Sequence, residues 1–177
     1  MLDILEDYLE YCYHDRLMTG VDSWKFMRVQ LAGATFDFNL KQGVYYDGVH
    51  RGFRPHDYLG LYKNKSVRAV GEIAAIIVAD ASELDNVKYT VEKGTLTDKR
   101  KELITRAIDD AKRYGYDLRK DPQRYFFVDA FYETDFRKKT KYPPRGSRVF
   151  DLTEVLGTQN IPNAQELADL LRQKTWE

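Results

Sequence analysis

Two groups of residues in this 177-residue chain have side chains suited to chemistry. The first is Arg137, Lys138, Lys139, Lys141, Arg145 and Arg148, within FRKKTKYPPRGSR. Between Glu133 and Arg148 six cations face two carboxylates, a local excess of four in a protein of formal net charge zero. Cations at that density neutralise phosphates and release counterions, and Tyr132, Phe136 and Tyr142 beside them offer rings for base stacking. Pro143-Pro144 stiffens the segment, and Gly146 permits close backbone approach. A solvated hairpin tip, with lysines that deter edge-to-edge pairing, has the same composition.

The second group lies in YYDGVHRGFRPHD. Tyr46, His50, Arg51, Phe53, Arg54 and His56 combine rings and cations that can clamp a phosphate or hold a planar group. A local Arg54–Asp57 pair with surface histidines is the plainer alternative. His50 and His56 lie six residues apart and Cys12 is the single cysteine, so neither a common metal motif nor an internal disulfide is expected. No cofactor motif is present. Asp57 and Glu72 flank a hairpin much as the carboxylates of PD-(D/E)XK nucleases do. Ala74, however, stands where that pattern needs lysine to stabilise charge or orient water.

The elements that must position these groups are partly readable. Tyr58–Tyr62 and Val67–Val78, separated by Lys63-Asn64-Lys65-Ser66, form a hairpin whose second strand is apolar enough to be buried on both faces. Residues 24–31 form a first strand, continued by Ala32–Asn39 beyond a bend at Gly33. Val87–Val91 is a short strand, and YFFVDAFY, Tyr125–Tyr132, a longer one. The basic segment is then a loop, with Arg148–Leu152 returning. The stripe Leu103, Ile104, Ala107, Ile108, Ala111 and Tyr114 makes a helix that starts at Thr97-Asp98 and stops at Gly115. Asn163 and Glu166 cap a last helix. Leu2, Leu5, Leu9, Tyr13 and Leu17 stripe an N-terminal amphipathic helix within residues 1–20, a surface through which two copies could pair over residues 2–18.

These elements predict one α+β domain over residues 21–177: a bent mixed sheet or small β-barrel with flanking helices. No apolar run is long enough to span a bilayer, the start MLDILEDYLE lacks a signal peptide's pattern, and a cytoplasmic protein is expected. The arrangement carried by FRPHDYLGLYKNKSVRAVGEI (53–73) and YFFVDAFYETDFRKKTKYPPRGSRVFDL (125–152) resembles the PUA-like superfamily, which includes the EVE, ASCH and YTH domains. That resemblance implies a PUA-like barrel that binds RNA or DNA without catalysis and reads a modified or unpaired base. Tyr46, Phe53 and Tyr132 would take the place of cage tryptophans. A bent sheet would bring the two loops to one rim, with Arg51 and Arg54 opposite Arg145 and Arg148. A metal-dependent nuclease of a restriction or defence system and a homodimeric interaction protein are the rival readings.

Overall fold

The structure, a computed structural model, describes residues 25–83 and 86–177. The helix expected over residues 2–18, and the dimer contact built on it, lie outside the described residues.

The elements are β1 (Phe26–Leu31), α1 (Phe36–Gln42), β2 (Val44–Gly48), β3 (Tyr58–Lys63), β4 (Ser66–Asp80), β5 (Lys88–Lys93), α2 (Asp98–Lys112), β6 (Gln123–Val128), β7 (Tyr132–Lys138), β8 (Arg148–Asp151), α3 (Leu152–Leu156), α4 (Ala164–Leu171) and β9 (Thr175–Trp176). Short 3-10 turns cover Gly33–Thr35 and Val49–Arg51. The expected α+β class is observed, with a mixed sheet of nine strands among the described residues.

β4 is the spine. Its run of Val, Ala and Ile is buried along most of fifteen residues because apolar clusters cover its faces, and it is paired on both edges for most of its length. β3 and then β5 pair along one edge, and β7 and then β6 along the other. The β3–β4 turn puts Asn64 and Lys65 at φ of +52° and +61°, the left-handed pair that matches strand twist in a two-residue hairpin loop. Residues 129–131 bridge β6 and β7 against Gly71, where a Cβ would lie 2.8 Å from the Ala130 carbonyl oxygen. The strand expected over Tyr125–Tyr132 is therefore two strands broken at this crossing.

Side-chain alternation distributes three apolar clusters about the sheet. Met27, Val29, Tyr58, Tyr62 and Val70 meet Leu152, Leu167, Leu171 and Trp176 on one outer face. Val44, Ala75, Ile77, Tyr125 and Phe127 meet Ile104, Ala107, Ile108 and Ala111 of α2 on another. Leu59 and Leu61 of β3 join Ile73, Ile76, Phe126 and Val128 of β4 and β6 in a third cluster, facing inward from both limbs. The sheet bends around this inner cluster.

The pairing order β2-β6-β4-β3-β1-β8 ends at β2 and β8 without joining them, so among the described residues the bent sheet is open and forms no closed barrel. Two further expectations are corrected. Residues 32–39 do not extend β1, because α1 forms there and places Phe36 and Leu40 on the inner cluster. Left-handed glycines frame it, Gly33 at φ +44° and Gly43 at φ +65°. The basic segment is not a hairpin tip, since β8 pairs with β1 and the free edge of β7 is taken by β9. Among the described residues no helix is long and apolar enough to cross a membrane.

Candidate functional site

The open seam between β1 and β2 gathers the charge. Met27 and Val29 send their side chains to the outer core, so Arg28 and Gln30 face the other way, toward the seam. Arg28 is 5% exposed and spans the gap. Its guanidinium lies 4.0 Å from Asp47 of β2, donates to the Gly52 carbonyl at 3.5 Å and reaches Ser147 Oγ at 3.3 Å. Side chains thus connect two strands that the backbone leaves apart.

A cleft of about 340 Å³ occupies the seam. Arg28, Gln30, Tyr45 and Asp47 line it from the strands, Arg51 from the 3-10 turn, and Arg145, Gly146 and Ser147 from the connection into β8. Leu31 adds an apolar edge. Arg51 pairs with Asp47 at 3.2 Å, and Asp47 also accepts from the Gly48 amide. Burial pushes the Tyr45 phenol up, and Asp47 beside it pushes the same way, so the hydroxyl stays protonated at neutral pH. Gln30 is 3% exposed, and its amide nitrogen has no hydrogen-bond partner. A buried donor left unmade costs about 1–3 kcal/mol, so an acceptor entering the cleft would be favoured.

The expected site residues divide around this seam. Arg51 and Arg145 line one cleft, so the two loops meet at one rim. His50 is exposed on the same turn as Arg51, its ring seated over Gly48, where a Cβ would lie 2.5 Å from the imidazole. Arg54 lies over the Phe26 ring, 5.3 Å from its centroid. Arg148 sits opposite Val29 at the exposed start of β8. Arg137 pairs with Asp135 at 2.6 Å, and Lys138 lies 5.3 Å above the Trp176 ring. Lys139 donates its backbone N–H to the Trp176 carbonyl, and Lys141 lies beside Tyr142. The basic segment therefore runs along a rim from β9 to the seam.

The three rings expected to share a cage face three different clusters. Tyr46 packs toward α2, and burial pushes its phenol up to about 12. Phe53 packs on the inner cluster, stacked on Phe126 and capped by the Arg124 guanidinium at 4.7 Å. Tyr132 packs on the opposite outer face, beside a separate cleft that holds Glu72 and Asn163. His56 is 2% exposed, packed against both the Phe53 and Phe126 rings, with Nδ1 at 2.6 Å from the Arg54 carbonyl. It must donate there, and burial holds its pKa down to about 4. β5 braces this region, since Glu92 accepts both Arg124 bonds at 2.7 and 2.9 Å and Lys93 pairs with Asp57 at 2.7 Å. That last pair engages one of the two nuclease-like carboxylates, while Glu72 is exposed opposite Tyr58. Among the described residues no three His, Cys, Asp or Glu side chains converge as a metal site would require.

Arg28, Gln30, Asp47 and Ser147 were not among the expected residues. The signal for the first two lies in FMRVQL, where polar residues alternate with apolar ones on a strand that must still be buried. A larger cleft of about 440 Å³ lies between α1 and α2, but there Lys41, Lys99 and Arg106 are countered by Glu102 and Asp129. Set against protein-family models, curated proteins and solved structures, the chain matches none of them.

Proposed function

We propose that this protein binds nucleic acid without catalysis, seating a phosphate in the cleft between β1 and β2. One observation carries the reading: Arg28, Arg51 and Arg145, from three separate parts of the chain, line one cleft with a single carboxylate among the described residues. Guanidinium groups grip phosphate oxygens with directed, charge-assisted bonds. The basic rim toward β9 extends this surface, so that a strand of nucleic acid would follow Lys139 and Lys141 away from the cleft. Tyr142, 72% exposed on the same connection, offers a ring for an unpaired base in place of the separated Tyr46, Phe53 and Tyr132. A polar seam in a sheet bent nearly upon itself is also what a PUA-like pseudobarrel would have. A reducing cytoplasm suits the single thiol of Cys12.

Single- and double-stranded DNA and RNA, with and without base modifications, should be titrated at two salt concentrations. Arg51→Ala and Arg145→Ala are each expected to weaken binding about 5- to 10-fold. Each should also lower the slope of log affinity against log salt by about 0.7–0.9. Unchanged affinity and slope in both variants would remove the cleft from the interface.

A further inference from the structure

We infer that the cleft between β1 and β2 reads a terminal phosphomonoester, the phosphorylated end of a nucleic-acid strand, in preference to an internal phosphodiester. This inference rests on the nucleic-acid reading above and names the group the cleft selects.

The charge count gives the first argument. Among the described residues three guanidiniums and one carboxylate line the cleft, a formal excess of two positive charges. An internal phosphodiester brings one negative charge. A phosphomonoester brings about −1.5 to −2 at pH 7, since its second proton leaves near pH 6. Only the terminal group matches the excess.

The donors give the second argument, independent of charge. A diester presents two unbridged oxygens and a monoester three. Arg51 and Arg145 stand at the mouth on opposite walls, both exposed and able to turn inward. Ser147 Oγ accepts from Arg28, which leaves its own proton to donate. Gln30 then adds the unpartnered amide N–H at the buried strand. The left-handed backbone of Gly146, φ +90°, lets Arg145 and Ser147 flank the same space. Donors on three sides can each meet a separate terminal oxygen of a monoester, whereas a diester turns a bridging, weakly accepting oxygen toward one of them. Asp47 has a part as well. It holds Arg51 at 3.2 Å before the ligand arrives, so the arginine is pre-positioned beside the cleft.

The test is fluorescence anisotropy with single-stranded DNA and RNA oligonucleotides. They carry 5′-phosphate, 3′-phosphate or hydroxyl ends and are labelled at the opposite end. Inorganic phosphate and a nucleoside monophosphate serve as competitors. The proteins are the wild type, Arg51→Ala, Arg145→Ala and Gln30→Leu, each checked by circular dichroism. A phosphorylated end should bind about tenfold or more tighter than a hydroxyl end. That preference should fall to near unity in Arg51→Ala and Arg145→Ala, and several-fold in Gln30→Leu with no change in salt slope. If Gln30→Leu does not fold, the two arginine variants, which alter exposed side chains, decide the matter alone. Equal wild-type affinity for phosphate and hydroxyl ends overturns the inference while leaving nucleic-acid binding in place. A nucleoside monophosphate that binds as tightly as the oligonucleotide supports phosphomonoester recognition and overturns the nucleic-acid reading. Binding of none of these ligands overturns both.

Discussion

His56 shows how one residue type can serve a different purpose from the one its neighbours suggest. Among arginines and tyrosines it reads as a ligand contact, yet it is buried against two phenylalanine rings and holds the Arg54 carbonyl. Its folded pKa of about 4 lies below the ordinary 6.5, so the unfolded chain takes up the proton first. The stability that follows from a neutral His56 is complete above about pH 6.5 and is lost as the pH falls toward 4. Over that interval the loss amounts to roughly 3 kcal/mol. Urea unfolding at pH 7.5 and pH 4.5 should show it, and His56→Gln, which keeps an N–H for the carbonyl, should lose less stability over the same change. Equal losses in the two proteins would show that His56 does not titrate as its burial requires. The imidazole therefore packs beneath Phe53, while Arg51 and Arg145 are the exposed cations at the cleft.

The hairpin of β3 and β4 was legible because its apolar runs and polar tetrad agree with a single local geometry. α2 and α4 were legible for the same reason: a period, a cap and a stop coincide, and Thr97 and Asn163 do accept the expected amide bonds. Where local signals conflict, reading fails. TFDFNL alternates like a strand, but Phe36 and Leu40 are also four apart, and the inner cluster selects the helix. The parallel pairing of β1 with β3, and β8's choice of β1 over β7, depend on which edges remain free and leave no trace in the local sequence. The seam escaped notice for that reason, since its walls come from β1, β2 and the connection before β8. The hairpin turn still carries one local cost. Lys65 holds φ at +61°, where a side chain is strained and glycine is not. Lys65→Gly should raise stability by about 0.5–1 kcal/mol in urea, after the extra freedom gained by the unfolded chain is deducted. A fall in stability would mean that the lysine side chain contributes more than its backbone strain costs.

For the molecule as a whole, the seam is the one place where β1 and β2 meet without backbone bonds, and Arg28 is the tie. Removing one partner from a buried ion pair typically costs about 3–5 kcal/mol. Asp47 retains Arg51, so Arg28→Met should cost roughly 2–3 kcal/mol, at or below the low end of that range. The loss should be uneven, with faster hydrogen exchange at β2 and β8 and little change in the middle of β4, which is paired on both edges. A uniform increase would show that the seam is not a separate hinge of stability. A bound phosphate that contacts both walls should reverse the pattern, protecting β2 and β8 above the free protein.

The tie also has a consequence in time. Arg28 and Ser147 are 119 positions apart, and among the described residues β2 finds its strand partner in β6. On the ribosome, with residues added at about 5–20 per second, β1, the β3–β4 hairpin and β5 all emerge well before the last wall of the cleft exists. A nascent chain can hold much of its sheet and still lack the site. The cleft is therefore completed late, when residue 147 has left the exit tunnel and closed the gap. Until then the unfinished protein carries the same arginines on separate segments, with no cleft to gather them.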